Sequence, residues 1–234
     1  MGGRYKLEIS VESVDAAVAA ARGGANRIEF CGNLRAGGTT PNLELLQAVR
    51  ERVHLPIFSM VRPRQGDFFY SEAEFAAMQR DLDAAKETGM DGVVLGLLTS
   101  EGAIDVARTK HLVELARPLP VTFHRAFDEC TGDLREALED VIETGATRLL
   151  TSGGKRTAPE ALDLLGELVR IAGERLIVMP GSGLHAGNIR EAVAKTGARE
   201  FHAGLSSVAS SVAANIGAFE VEVRRMAGAL WDCG

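Results

Sequence analysis

Short runs of β-branched and aliphatic residues alternate with longer amphipathic segments along the whole chain, the form of repeated βα units around a parallel sheet. Eight such runs stand at Lys6–Val11, Arg27–Cys31, Ile57–Arg62, Gly92–Leu97, Val121–Arg125, Arg148–Thr151, Leu176–Pro180 and Glu200–Ala203, each followed by a helix-length stretch. Gly24, Gly89, Gly145 and Gly197 close the helix ahead of the second, fourth, sixth and eighth runs, glycine being the usual helix stop. Leu55-Pro56 and Leu119-Pro120 introduce the third and fifth instead. An even count of eight with alternating entry chemistry predicts a closed (β/α)8 TIM barrel of the α/β class. It is expected as a single domain over residues 1–234, with a Ser/Ala-rich loop at 205–215 and a C-terminal helix at 216–234. A doubly wound dinucleotide fold would need GxGxxG after the first run, where Ser10-Val-Glu-Ser-Val14 stands.

Strand alternation then sorts side chains. Leu7, Ile9 and Val11 form the helix-facing set of the first run, which turns Glu8 and Ser10 inward; Ile28 and Phe30 do the same for Glu29 and Cys31. His124 and His202 also fall inside. Barrel interiors are mostly branched and apolar, so these exceptions carry information. Two carboxylates buried together are costly unless a proton, a base or a cation compensates, and that compensation separates their pKa values as acid–base pairs require. The candidate proton-moving set is Glu8, Glu29, His124, Asp128 and His202, with Asp128 orienting His124. The same residues equally suit a satisfied polar network that holds the barrel closed, with Glu8 paired to an arginine or lysine.

Candidate ligand-binding residues cluster at the carboxyl ends of the later runs, where barrel sites are built. In Arg62-Pro-Arg-Gln-Gly-Asp-Phe-Phe-Tyr70, Pro63 and Gly66 would fix Arg62 and Arg64 as an anion clamp oriented by Asp67. Arg125 adds a third guanidinium. Ser152 and Gly153 after the sixth run, and Gly181, Ser182 and Gly183 after the seventh, could offer backbone amides as a phosphate-binding loop.

Composition narrows the partners. The 234 residues are 46% hydrophobic and 25% charged, ordinary globular usage, with a net charge of −6 and no Lys/Arg block, so nucleic acid is excluded as a partner. The uncharged stretch from Phe201 to Phe219 holds four serines, which argues against a membrane span, and no leader precedes the first run. Three cysteines are too few for a disulfide framework and favour a reducing, cytoplasmic setting. Cys31 caps the second run and Cys130 follows Asp128 in the loop after the fifth, so both could face the mouth, where thiolates would select Cu(I). Met60 and Met179 read as core, and no short Cys/His spacing suggests zinc. A symmetric homodimer is expected of an acidic barrel this size.

Taken together, Arg27-Ile-Glu-Phe-Cys31, Gly37-Gly-Thr-Thr-Pro41, Arg62-Pro-Arg-Gln-Gly-Asp-Phe-Phe-Tyr-Ser71, Thr122-Phe-His-Arg-Ala-Phe-Asp128 and Leu150-Thr-Ser-Gly153 resemble the CutC family, in family order. The resemblance implies a TIM barrel and a cytoplasmic copper homeostasis protein that binds Cu(I) through cysteine, a role that falls on Cys31 and then Cys130. Leu205 to Asn215 departs from the family's longer, Arg-Asn-containing loop. Two functions are therefore carried forward. One is Cu(I) binding; the other is an isomerase, lyase or hydrolase acting on a phosphorylated or acidic small molecule at the barrel rim.

Overall fold

The computed structural model describes residues 4–204 and 215–233. Eight strands, β1 (Lys6–Val11), β2 (Arg27–Phe30), β3 (Ile57–Met60), β4 (Gly92–Leu95), β5 (Val121–Phe123), β6 (Arg148–Thr151), β7 (Ile177–Pro180) and β8 (Glu200–Ala203), alternate with helices. The helices are α1 (Val14–Gly23), α2 (Leu43–Arg52), α3 (Glu72–Glu87), α4 (Val106–Ala116), α5 (Leu134–Glu143), α6 (Leu162–Ala172), α7 (Ile189–Thr196) and α8 (Ile216–Trp231). Every strand pair is parallel, in the order β7-β6-β5-β4-β3-β2-β1-β8, and β7 beside β8 brings the ring almost to closure as a TIM barrel. The loop expected at 205–215 lies, but for Asn215, outside the described residues.

Local chemistry explains the elements. All four glycines expected to stop helices have positive φ, from 66° at Gly197 to 98° at Gly24, a conformation that a side chain would disfavour. Ser71 and Glu74 form a capping box that starts α3 where the rim loop after β3 ends. Strands β2 to β5 are shorter than their apolar runs, so Cys31, Arg62 and His124 stand just past the strand ends, on the rim.

The barrel wall has two faces. Outside, Leu7, Ile9 and Val11 join the alanine face of α1 and Phe219, Val223 and Met226 of α8 in the main apolar core. A Cβ on Gly23 would fall 2.6 Å from Val223 Cβ, so α1 and α8 meet at a spacing that only glycine allows there. Inside, the lower layer is ionic. Arg27 donates through Nε to Glu8 and through Nη2 to Glu200 at 2.7 Å, and Arg148 donates to the same Glu200 oxygen at 2.9 Å. The Arg27 guanidinium also lies 4.9 Å over the Phe58 ring. Glu8 is thus partly a closing element of the barrel, held by an arginine from the neighbouring strand.

Candidate functional site at the barrel mouth

A cavity of about 480 Å³ opens at the carboxyl ends of the strands. Its polar wall includes Ser10, Glu29 and His202 from one side, and Arg62, His124 and Arg125 from the other. Met60, Phe68, Leu150 and Phe219 supply apolar surface between them. Mixed walls of this kind suit a small ligand held by a few placed polar groups.

On the β1, β2 and β8 side, register aligns the key residues: Glu8 pairs with His202 across β1 and β8, and Glu29 pairs with Ser10 across β1 and β2. All three ionisable side chains are buried, with relative exposures of 1%, 3% and 7% for Glu8, Glu29 and His202. His202 Nε2 lies 3.1 Å from Glu29 Oε2 and 4.0 Å from Glu8 Oε1. Burial opposes charging His202, but the charges of Glu29 and Glu8 and the Glu29 hydrogen bond outweigh it and raise its pKa above the ordinary histidine value. Glu8 Oε1 and Glu29 Oε1 are buried with no hydrogen-bond partner.

His124 is the opposite case. Its Nδ1 accepts from the Ala126 backbone amide at 3.2 Å, so the neutral ring carries its proton on Nε2, which is buried and unpartnered. Burial, followed by the positive charge of Arg62, lowers its pKa to about 3. The ring packs 4.9 Å from Phe68. His124 is therefore a neutral hydrogen-bond donor at the cavity wall.

Asp128 does not orient this ring. The short 3-10 turn at Arg125–Glu129 carries it toward β6, where its carboxylate accepts from Thr151 Oγ1 at 2.6 Å, from the amides of Ser152 and Gly154 at 3.0 Å, and from Arg125 Nε at 2.8 Å. It braces the loop after β6. The same bonds correct the phosphate-cradle expectation, because the amides at Ser152 and Gly154 are already used and Gly153 N donates to Thr151 Oγ1 at 2.9 Å. Gly181 N is used likewise, donating to the Thr151 carbonyl at 2.9 Å, and a Cβ on Gly181 would fall 2.4 Å from Leu150. Ser182 Oγ donates to the Arg156 carbonyl, and a Cβ on Gly183 would meet Thr157. These glycines serve close packing, and none of the five loop residues from Ser152 to Gly183 named above lines the described cavity.

The anion clamp is also corrected. Arg62 Nη1 donates to the carbonyls of Gly37 and Gly38 at 3.1 Å, Nη2 donates to Gly66 O at 2.7 Å, and the guanidinium lies 4.6 Å over Phe68. Converging carbonyls of two glycine turns engage both Nη1 and Nη2, and Nε is buried with no partner. Arg64 points away, to Glu74, to Asp67 at 2.8 Å and to the Phe69 carbonyl at 2.7 Å, so Asp67 braces a rim loop with it. Of the clamp, Arg62 alone reaches the cavity.

The two mouth cysteines are not brought together. Cys31 is buried in a small cluster with Phe58, Met60 and Val94, whereas Cys130 packs against a separate cluster containing Phe123 and Phe127. The Cys31 thiol donates to Glu29 Oε2 at 3.7 Å; burial, then Glu29, pushes its pKa well up. Cys130 is pushed up to about 11 by burial and Asp128. A Cβ on Gly38 would lie 3.2 Å from Cys31 Sγ and 3.4 Å from Met60 Cε, so both sulfur side chains border buried Gly38, next to Gly37 of the cavity wall. The arginine expected as a partner of Glu8 is Arg27; the pairing of Cys31 with Met60 and the extension of the Arg27 network to Glu200 and Arg148 have no counterpart in the sequence reading.

The chain matches the model of the CutC family over residues 5–207. It is 50% identical to a CutC family protein of Chromobacterium violaceum over 84% of this chain and 79% of that one. It is 47% identical to the mouse copper homeostasis protein cutC homolog over 88% of this chain and 75% of the relative, and 45% identical to the human homolog. The crystal structure of CutC from Streptococcus agalactiae superimposes with a TM-score of 0.81 at 30% identity, covering 85% of this chain and 98% of that one. A thiamine phosphate pyrophosphorylase from Pyrococcus furiosus shares the fold alone, at 17% identity and a TM-score of 0.64. With its barrel, its rim motifs and relatives of up to 50% identity, the chain belongs to the CutC family of copper homeostasis proteins.

Proposed function

We propose that this protein serves copper homeostasis by binding Cu(I) as cargo at the barrel mouth, with Cys31 as thiolate ligand and Met60 as a second sulfur donor. The observation that carries the reading is the convergence of these two sulfur side chains on Gly38, at a mouth that Met60 itself lines. Thiolate and thioether are the ligands that select Cu(I) over harder ions. Because burial and Glu29 hold the thiol protonated, uptake breaks the S–H bond as the sulfur–copper bond forms, and Glu29 Oε2, 3.7 Å away, is the nearest base for the proton. Cys130, in its separate cluster, takes no part. Three free cysteines suit a reducing cytoplasm, and no helix among the described residues is long and apolar enough to cross a membrane.

An anaerobic Cu(I) titration against a competing chelator tests this. One equivalent should bind to the wild type and to Cys130→Ser, and binding should be lost in Cys31→Ser and weakened in Met60→Leu. Binding that survives Cys31→Ser contradicts the assignment.

A second reading has its own observation. A cavity of about 480 Å³ far exceeds the needs of one ion, and it presents the free Nε2–H of His124 opposite the free carboxylate oxygen of Glu29. Such a pair suits an enzyme that polarises and deprotonates a small polar substrate, an isomerase or lyase. With the amides of Ser152, Gly153, Gly154 and Gly181 engaged and none of the expected loop residues lining the cavity, phosphate is no longer the favoured handle, and Arg35, Arg62 and Arg125 are the arginines that line it for an acidic substrate.

A further inference from the structure

Among the described residues, one set of His, Cys, Asp or Glu side chains places three potential ligand atoms within 4.8 Å of one another: Glu8, Glu29 and His202. The cluster combines two carboxylates with an imidazole, and it is enclosed by the barrel. Glu8 and Glu29 are only 1% and 3% exposed, yet each keeps one carboxylate oxygen without a partner. A buried carboxylate oxygen left unpaired costs free energy unless a proton, water or cation meets it.

The charge count of the interior points the same way. Three buried carboxylates, Glu8, Glu29 and Glu200, face two guanidinium groups, Arg27 and Arg148. Both arginines sit at the lower layer, on Glu200 and on the far oxygen of Glu8. Glu29 and Glu8 Oε1 therefore have no guanidinium partner, and His202 is the one basic side chain among the described residues that meets them. Arg27, bonded to Glu8 Oε2, also fixes the rotation of that carboxylate, as outer groups commonly do for metal-binding side chains.

We propose that Glu8, Glu29 and His202 form a divalent-cation site at the floor of the cavity, suited to Zn²⁺, Mn²⁺ or Fe²⁺ rather than Cu(I). Two carboxylate oxygens and an imidazole nitrogen are hard to borderline donors, and atoms within 4.8 Å of one another reach bonds of about 2.0–2.2 Å by side-chain movements of up to about 1 Å. Glu29 and His202 line the cavity, so an ion held there is reachable by a ligand in it. Three protein ligands with a further position open to a cavity is the arrangement of catalytic rather than structural metal sites. This site borders the sulfur pair through Glu29, whose Oε2 accepts from the Cys31 thiol, but it takes no ligand from either sulfur and does not require Cu(I) at Cys31.

The test titrates the chelator-stripped full chain with Co²⁺ alone and, separately, with Zn²⁺ alone. One equivalent of Co²⁺ is expected, with visible d–d bands and no thiolate charge-transfer band, and with the same spectrum in Cys31→Ser. Losing an outer partner of a metal ligand costs about 10–100-fold in affinity, so Glu29→Gln and His202→Asn, which remove ligands, should weaken both ions at least about 100-fold. Melting curves identify a variant that has not folded, in which case Glu8→Gln replaces it. Absence of stoichiometric Co²⁺ and Zn²⁺ binding, binding unchanged in folded Glu29→Gln, or a charge-transfer band abolished by Cys31→Ser would each overturn the proposal. Cu(I) capture fails or stands on Cys31→Ser, so the two outcomes remain separable.

Discussion

His124 and His202 are buried in one barrel mouth and line one cavity, yet their surroundings shift their pKa values in opposite directions. His124 has Arg62 and aromatic rings around it, accepts an amide hydrogen at Nδ1, and is held neutral with a pKa lowered to about 3. His202 is equally desolvated, but it faces Glu29 and Glu8 and its pKa is raised. Burial alone therefore does not set the chemistry of an interior histidine; the sign of the nearest charge decides. The result is a cavity with a neutral donor on one wall and an anionic, cation-seeking floor on the other. That polarity makes the two sides respond differently to substitution and to pH.

The largest effect is expected beneath the His202 side. Replacing Arg27 with methionine strands Glu8 and Glu200 without their shared partner, and breaking a buried pair from one side costs about 3–5 kcal/mol. Urea unfolding should show that loss, and a cost below about 1 kcal/mol would mean that the ionic layer is dispensable.

Next come the glycines that bring backbone against each histidine. A Cβ on Gly96 would lie 2.5 Å from His124 Nδ1, and one on Gly181 would lie 3.1 Å from the Cβ of His202 and 2.4 Å from Leu150. Gly96→Ala and Gly181→Ala should each cost about 1–3 kcal/mol by overpacking, measured by the same unfolding curves. Only Gly96→Ala should disturb the Nδ1 hydrogen bond that fixes the His124 tautomer.

The pH dependence separates the two sides by sign. For His124 the folded pKa is below the ordinary value, so the unfolded chain binds more protons as pH falls below about 6.5. Stability should drop by about 1.4 kcal/mol per pH unit from this group between about 6.5 and 3. His124→Asn should remove that portion of the slope. For His202 the folded pKa is raised, so in chelator-treated protein its contribution is fully present below the ordinary histidine pKa and is lost as pH rises through the folded value. His202→Asn should therefore change the slope on the alkaline side instead. Equal effects of the two substitutions on one limb would contradict the comparison.

The smallest effect is expected at Arg64, whose partners Asp67 and Glu74 are exposed to solvent in part or largely. Arg64→Ala should cost less than about 1 kcal/mol and leave cavity ligands unaffected, whereas Arg62→Ala should loosen the Gly37, Gly38 and Gly66 turns. Thermal unfolding of the two variants side by side distinguishes a rim brace from a cavity wall.

The barrel was legible because its signals are periodic: eight apolar runs, and four glycine stops that all adopt positive φ. Strand alternation likewise located Glu8, Glu29, His124 and His202 inside, since parity alone decides which face a strand residue takes. The same parity places Arg27 with Glu29 and Cys31, so the buried network under Glu8 was present in the pattern, at a position that reads as a charged strand start. Loop residues have no such period. Arg64, Asp128 and the glycines after β6 and β7 sit where backbone turns, rather than sequence spacing, decide what each polar group meets, and there the expected anion clamp and phosphate cradle gave way to internal hydrogen bonds. The sulfur neighbours Cys31 and Met60 come from neighbouring strand ends, and only the folded packing, their shared cluster and their common approach to Gly38, reveals them.

The most direct measurement is ¹⁵N NMR of the histidine rings in chelator-treated protein as pH is varied, assigned with His124→Asn and His202→Asn. His124 should stay neutral and protonated at Nε2 well below the ordinary histidine range, and His202 should keep its second proton to a pH above that range. A His124 that charges at the ordinary pH, or a metal-free His202 that loses its second proton at or below it, would contradict the opposed shifts.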